Sequence, residues 1–380
     1  MKNCIFHIPM HIEEDKVTGA AVRPRNILKA FRTIGYDVDI VMGYGKERKQ
    51  QIREIKLKIE NGKKYEFLYS ESSTMPTLLT EEDHVPRYPF LDFSFFSFCK
   101  EKGIKIGLFY RDIYWRFPIY KEQVGRLKRM IAYPLYQHDL RKYRKLLNIC
   151  YVPSIKFAER VGVPLNYKEL PSGGVLDHCV LGKKKNILAN RDNLHSMRIF
   201  YVGGITGIND ISGLFNVVAK NDFLELVVCC REEEWEMYGT KYEEYLCARV
   251  KIIHESGDKL KEYYLNADIA SLYYHNDQYR DFAMPVKLFE YIGYGVPVIA
   301  TKGTAAEEYI SRNNLGWAVD DDEKQVSMLL KHLYNNYKEV KLKARNCINC
   351  AYENSWEARA KQVASDLKND GEGSNNGVHI

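Results

Sequence analysis

Short apolar runs alternate with amphipathic stretches along most of the chain. Cys4–Ile8, Val38–Val41, Phe67–Ser70 and Ile104–Tyr110 read as buried strands. Between the first two, Ile27, Leu28, Phe31 and Ile34 share one helical face, with Gly35 as the cap. The reading places a loop from Pro9 to Arg25 before that helix, containing Gly19, Arg23 and Arg25. This strand–loop–helix–strand opening is a Rossmann-type unit, and without G-x-G-x-x-G it gives no argument for NAD or FAD. The aromatic run Tyr88–Phe98 fits a buried helix better than an exposed patch.

The alternation resumes after residue 193. Met197–Val202, Leu224–Cys230, Val250–Ile253, Asp268–Tyr273 and Val296–Ala300 read as strands, and helices are expected from about Ile211 and over Lys259–Asn266. Residues 323–349 read as one long helix, Ser355–Arg359 starts a last one, and the polar end of the chain reads as disordered. The polar run 182–193 is the expected linker. The predicted organisation is α/β with two Rossmann-like domains, 1–181 and 194–354, then a helix over 355–366 packing back on the first domain and a tail over 367–380.

The stretch Met284–Ala300 carries the most chemistry. Pro285 suits a helix start, Leu288, Phe289 and Ile292 give an apolar face, and Gly293 and Gly295 end the helix before a buried strand. A helix N-terminus favours an anion, and Lys287 adds positive charge beside it. Glu290, one turn further on, is placed to reach a hydroxyl pair. The run Pro285-Val-Lys-Leu-Phe-Glu-Tyr followed by Gly-Val-Pro-Val-Ile-Ala resembles the donor signature of family-4-like retaining glycosyltransferases of GT-B fold. That resemblance implies two Rossmann-like domains facing across a cleft. It implies that Glu290 binds the nucleotide ribose and that Pro285, Val286 and Leu288 belong to the donor site. The family motif has a further Glu eight residues before Glu290, where this chain has Phe282; the neighbouring Asp281 is the expected substitute.

Two further segments fit the resemblance. Gly203-Gly204 ends a strand, where glycine lets the backbone approach a diphosphate. Arg231 and Lys287 are the expected cations for the leaving diphosphate. In the first half, Arg111-Asp-Ile-Tyr-Trp-Arg116 follows a strand end, the place where open α/β sheets bind ligands. Asp112 is the expected acceptor-facing carboxylate, with an ion pair to Arg111 or Arg116 as the plainer reading. Gly19, Arg23, Arg111 and Tyr114 are the expected acceptor contacts, and a solvated Arg23 is the plainer reading.

Composition narrows the class. A 380-residue chain fits two domains, and hydrophobic and charged fractions of 45% and 28% are ordinary globular values. A net charge of +6 does not argue for nucleic acid. No apolar run reaches membrane-span length and no signal-peptide pattern opens the chain, so a cytoplasmic location is expected, with peripheral attachment to the inner membrane face left open. Nine cysteines without a framework read as reduced thiols, and Cys347-x-x-Cys350 lacks a second pair for zinc. From Lys121 to Lys145 the pattern is helical and basic, with Pro134 expected to break or kink it. Two readings stay open there, an anionic membrane face and a solvated helix packed on its own domain.

The resemblance to family-4-like glycosyltransferases implies a reaction that moves a hexosyl group from a nucleoside-diphosphate sugar to an acceptor hydroxyl with retention, in cell-surface polysaccharide or glycoconjugate assembly. The acceptor is a sugar or a lipid-linked group. Positive charge on the leaving diphosphate is the main requirement, so neither a metal nor a further cofactor is expected. The alternatives are a sugar-nucleotide epimerase of the same fold and a catalytically silent sugar-nucleotide-binding protein.

Overall fold

The computed structural model describes residues 2–12, 19–191, 195–275, 277 and 279–369. The chain divides into two compact units, one formed by residues up to Pro171 together with those from Glu357 on, the other by Ser172–Trp356.

The first unit is a parallel six-stranded sheet. Its strands are β1 (Lys2–His7), β2 (Tyr36–Val41), β3 (Phe67–Glu71), β4 (Lys105–Phe109), β5 (Ile149–Val152) and β6 (Tyr167–Glu169). Their order is β2-β1-β3-β4-β5-β6. The chain runs outward from β1 in both directions, so the switch point, where such sheets bind ligands beyond the strand ends, lies between β1 and β3. The central strands β1, β3, β4 and β5 are mostly buried on both faces, as parallel sheets require, while the edge strands β2 and β6 are partly exposed and more polar.

The helix after β1 spans Gly19–Thr33, so Gly19, Arg23 and Arg25 sit in its first turns rather than in a loop. The aromatic run forms the helix Leu91–Glu101 with Phe93, Phe95 and Phe96 buried, while Phe90 stays exposed. The basic segment breaks at Val124–Gly125, and Arg126–Leu146 then runs unbroken through Pro134. Pro134 takes an N–H away from the carbonyl one turn back; both Pro134 and Met130 lie on the exposed side of the helix, where that carbonyl is open to solvation. The last helix, Trp356–Asn369, packs on this first unit. Asp366 pairs with Lys168 at 2.7 Å, Lys368 with Glu66 at 2.8 Å, and Gln362 donates to the Glu169 carbonyl at 2.7 Å. Residues 367–369 of the expected tail thus continue this helix, and the rest of it lies outside the described residues.

The second unit repeats the scheme with β7 (Met197–Val202), β8 (Leu224–Cys229), β9 (Val250–Ile253), β10 (Ile269–Leu272), β11 (Val298–Thr301) and β12 (Gly316–Val319). The order β12-β11-β10-β7-β8-β9 puts its switch point between β7 and β10. The expected linker is a helix, His178–Asn190, of this unit, with only 192 and 193 outside the described residues. Its Val180, Leu181, Lys184 and Leu188 form a buried stripe that the lysine run hides in the sequence. The Lys184 ammonium donates to the carbonyls of Tyr264, Leu265 and Ala267, closing a helix C-terminus. Burial lowers its pKa to about 8. The expected long helix is two, Glu323–Asn335 and Tyr337–Asn349, broken at Asn336. Buried Asp268 is structural, accepting from the Tyr337 hydroxyl, Arg191 and the Arg198 amide.

Candidate functional site

In the second unit, the switch point gathers the end of β7, the end of β10 and the start of the helix Val286–Gly293. Gly203 follows β7 with φ of +134°, a conformation that favours glycine. A Cβ at Gly203 would lie 2.6 Å from Lys287 Nζ, so the missing side chain makes room for the ammonium group. The Val202 N–H donates to the Tyr291 hydroxyl at 3.1 Å, and the Tyr201 hydroxyl donates to the Gly204 carbonyl. The glycine turn is therefore fixed to its own strand and to the helix that carries Lys287.

Pro285 is the N-cap of that helix and Val286 its first residue. The Lys287 ammonium is buried over the ring of Tyr201, 4.2 Å from its centroid, and makes no hydrogen bond. Arg280 stacks on the other aromatic ring of the group, its guanidinium carbon 3.6 Å from the Tyr274 centroid. One Arg280 nitrogen donates to Asn209 at 3.0 Å, and its buried Nε has no partner. Burial lowers the pKa of Lys287. For Tyr274 burial acts upward, but the charges of Lys287 and Arg280 outweigh it and the net shift is downward. Among the described residues no carboxylate forms an ion pair with the buried Lys287 ammonium or with the partly buried Arg280, an arrangement that leaves positive charge available to an anion.

Glu290 lies one turn along from Lys287, accepts from the Tyr264 hydroxyl at 3.2 Å, and has its pKa raised by burial. Leu288 is fully buried and serves packing. Asp281 accepts from the Ala305 N–H through its main chain, which ties the segment before Pro285 to the next helix start. Phe282 is buried edge-on to Tyr279. A cavity of about 190 Å³ lies here, lined by Asn209, Tyr274, Arg280, Met284, Pro285 and Thr304 among others. Arg231 caps the helix Glu232–Tyr238 and is largely exposed, 3.5 Å from Glu234. Glu234 in turn accepts from the Ile205 N–H and the Thr206 hydroxyl. Arg231 and Lys287 thus approach the Gly203–Gly204 turn through different partners. Sequence reasoning missed Arg280; its signal was a lone arginine five residues before Pro285, and the stacking on Tyr274 is visible only in three dimensions.

In the first unit, the switch point holds a buried carboxylate that the sequence did not reveal. Glu71 ends β3 and accepts from Arg23 at 3.1 Å, Arg111 at 2.8 Å and the Tyr69 hydroxyl at 2.9 Å. The Arg23 guanidinium also lies 3.3 Å over the Phe109 ring. Arg23 is therefore neither solvated nor presented openly to phosphate. Behind this cluster, buried His7 bridges Ser70 at 2.8 Å and Asp92 at 3.0 Å, and Arg48 clamps Asp92 at 2.9 Å. Asp112 accepts from the Tyr114 N–H at 2.8 Å and shapes the turn after β4, while Arg111 reaches back to Glu71 and Arg116 reaches the Arg160 carbonyl. Tyr114 packs edge-on to Tyr120.

No group of three or more His, Cys, Asp or Glu suited to a metal occurs among the described residues. The Asp-x-Asp triplets at 37–39 and 320–322 are engaged otherwise. Asp37 and Asp39 hold Lys63 at 2.9 and 2.8 Å, Asp320 holds Lys302, and Asp322 caps a helix. Cys347 is buried and Cys350 partly buried. No helix among the described residues is long and apolar enough to cross a membrane.

Residues 266–352, which include Arg280, Lys287 and Glu290, match the family model described as Glucosyltransferase 3-like, C-terminal domain. No curated protein matches the sequence. Among solved structures, the chain is similar to sucrose-phosphate synthase from Thermosynechococcus elongatus, with 13% identity over 97% of this chain and 98% of that one and a TM-score of 0.63. It is similar to HepE of Anabaena in complex with UDP and glucose, with 10% identity, 96% and 98% coverage and a TM-score of 0.58. A third is WaaG, a glycosyltransferase involved in lipopolysaccharide biosynthesis, with 12% identity, 96% and 99% coverage and a TM-score of 0.59. The α/β architecture is thus that of GT-B glycosyltransferases, and the resemblance seen at 285–300 is borne out.

Proposed function

We propose that this GT-B chain is a hexosyltransferase that takes its sugar from a UDP-sugar bound by the second unit. The observation that carries the reading is a pair of cations at the switch point, the buried Lys287 ammonium beside Gly203 and the partly buried Arg280 on the Tyr274 ring, with Glu290 one helical turn from Lys287. A diphosphate supplies the negative charge that these cations lack, and a ribose supplies hydroxyl donors for the Glu290 carboxylate. UDP is proposed as the nucleotide because the HepE complex holds UDP at the same fold.

The proposed chemistry makes use of that placement. The bond from C1 of the sugar to the diphosphate oxygen breaks, and an acceptor oxygen bonds to C1 from the same face. The acceptor's proton passes to the departing phosphate, so configuration is retained without a carboxylate nucleophile. Lys287, Arg280, the glycine-turn amides and the helix N-terminus stabilise the charge that develops on the diphosphate, and exposed Arg231 adds to it. With that charge supplied by side chains, transfer without a divalent metal is part of the proposal. Asp112 and Tyr114, beyond the end of β4, are proposed on the acceptor side together with Gly19, with Arg111 and Arg23 supporting that side from behind through Glu71. The likeness to WaaG, a glycosyltransferase involved in lipopolysaccharide biosynthesis, supports a place in cell-surface glycoconjugate assembly.

Fold alone also accommodates an epimerase, so the test must read the product. UDP-sugars are incubated with the protein in EDTA, and the products are followed by proton NMR. Released UDP with an anomeric signal of unchanged configuration in a glycosidic product supports the proposal. Conversion of one UDP-sugar to its epimer, or no turnover of any UDP-sugar with acceptor-rich extract, contradicts it.

A further inference from the structure

The basic helix Arg126–Leu146 has two different halves. From Ala132 onward it is anchored, with Ala132, Tyr136, Asp139, Leu140 and Tyr143 buried. Its first two turns are not: Leu127 is 78% exposed, Met130 64% and Ile131 62%. Their spacing of three and four places them on a single stripe. Arg126 and Lys128 are exposed beside the stripe, Arg129 is partly so, and residues 126–133 include no acidic side chain. Large apolar residues rarely line up in the open on a helix start unless something covers them.

The stripe borders a groove of about 860 Å³ within the first unit. Met75, Leu79, Tyr120, Val124, Leu127 and Ile131 are among its lining residues. Its size falls in the range of pockets that enclose small molecules. Asp83 also lines it, but that charge is held by Arg87 at 2.5 Å, so the rim on the helix side stays basic.

We infer that these two turns and the groove are a docking face for an anionic lipid bilayer. Leu127, Met130 and Ile131 enter the acyl boundary, Arg126, Lys128 and Arg129 meet the anionic headgroups, and the groove takes the hydrocarbon chain of one lipid. An apolar stripe flanked only by cations is complementary to that surface and to its charge. The short stripe gives reversible association in the plane of the interface. The inference does not depend on sugar transfer, because vesicle binding is read without donor or acceptor.

The test is co-sedimentation of the full chain with vesicles of phosphatidylcholine and phosphatidylglycerol in equal parts, against pure phosphatidylcholine. Two variants are compared with the unchanged protein, L127S/I131S and R126Q/K128Q/R129Q, each checked for unchanged melting and nucleotide binding. The unchanged protein is expected to bind the anionic vesicles and to be released by high salt, and each variant to bind at least ~10-fold more weakly. No binding to the anionic vesicles, or equal binding by both variants, overturns the inference. So does a dimer that L127S/I131S dissolves while vesicle binding is absent, which assigns the face to a second copy of the chain.

Discussion

The Val202 N–H donates to the Tyr291 hydroxyl, joining the last residue of β7 to the helix that carries Lys287 and Glu290. One hydroxyl thereby ties the glycine turn to the helix that carries the two side chains proposed for the donor site. Preorganisation of this kind lets charges stabilise a departing group without first being gathered.

Tyr291→Phe leaves the part-buried Val202 N–H without its partner, at a cost of about 1 kcal/mol. Melting temperature and UDP affinity are expected to fall together, because the same bond supports fold and site. Thermal denaturation with and without UDP measures both; a stable variant with unchanged affinity would remove Tyr291 from the account.

Lys287→Met should separate binding from stability. Removing a buried ammonium without a hydrogen bond is expected to leave the melting temperature unchanged or raised near neutral pH. UDP affinity should drop at least tenfold, which is about 1.4 kcal/mol. The sign of the pH effect follows from the lowered pKa of Lys287. Between its folded pKa and the ordinary lysine value the unfolded chain binds more protons, so this group's contribution makes stability rise with pH. Diphosphate binding needs the protonated form and weakens as pH rises through that folded pKa. Calorimetric titrations across alkaline pH, compared with Lys287→Met, measure the difference.

Glu290→Ala is expected to weaken UDP binding and leave inorganic pyrophosphate binding unchanged, because Glu290 is assigned to the ribose. Burial raises the pKa of Glu290. The nucleoside-dependent part of the affinity should therefore decline, as pH falls, sooner than for an ordinary carboxylate. Parallel titrations with UDP and pyrophosphate decide it, and equal losses for the two ligands would move Glu290 onto the phosphates.

Glu71→Gln removes the carboxylate that Arg23 and Arg111 share. Breaking a buried ion pair on one side costs roughly 3–5 kcal/mol, so a marked drop in melting temperature is expected in the absence of any ligand. An unchanged melting temperature would show that the arginines find other support.

Much of the fold was legible because the central parallel strands are short apolar runs bounded by polar residues, whereas the edge strand Tyr167–Glu169 carries no such run and was not read as a strand. The helix from Val286 was legible for a different reason: Pro285, Lys287, Glu290 and the two glycines each mark a local backbone or charge requirement. The misreadings have local causes too. Lys183–Lys185 disguised a helix as a linker, because the buried ammonium of Lys184 finds three carbonyls that only the folded chain supplies. Asn336 breaks a helical pattern that stays periodic across it. Arg280 and Glu71 were not legible, since each owes its place to partners far along the chain, Asn209 for one and Arg23 and Arg111 for the other.

The most direct measurement is a calorimetric titration of the protein with UDP in EDTA, repeated on Lys287→Met and Arg280→Ala. Saturable binding by the unchanged protein, weakened at least tenfold in both variants, is the predicted result. Binding that both variants retain in full, or no binding of UDP at all, would contradict a diphosphate site at the Gly203–Gly204 turn.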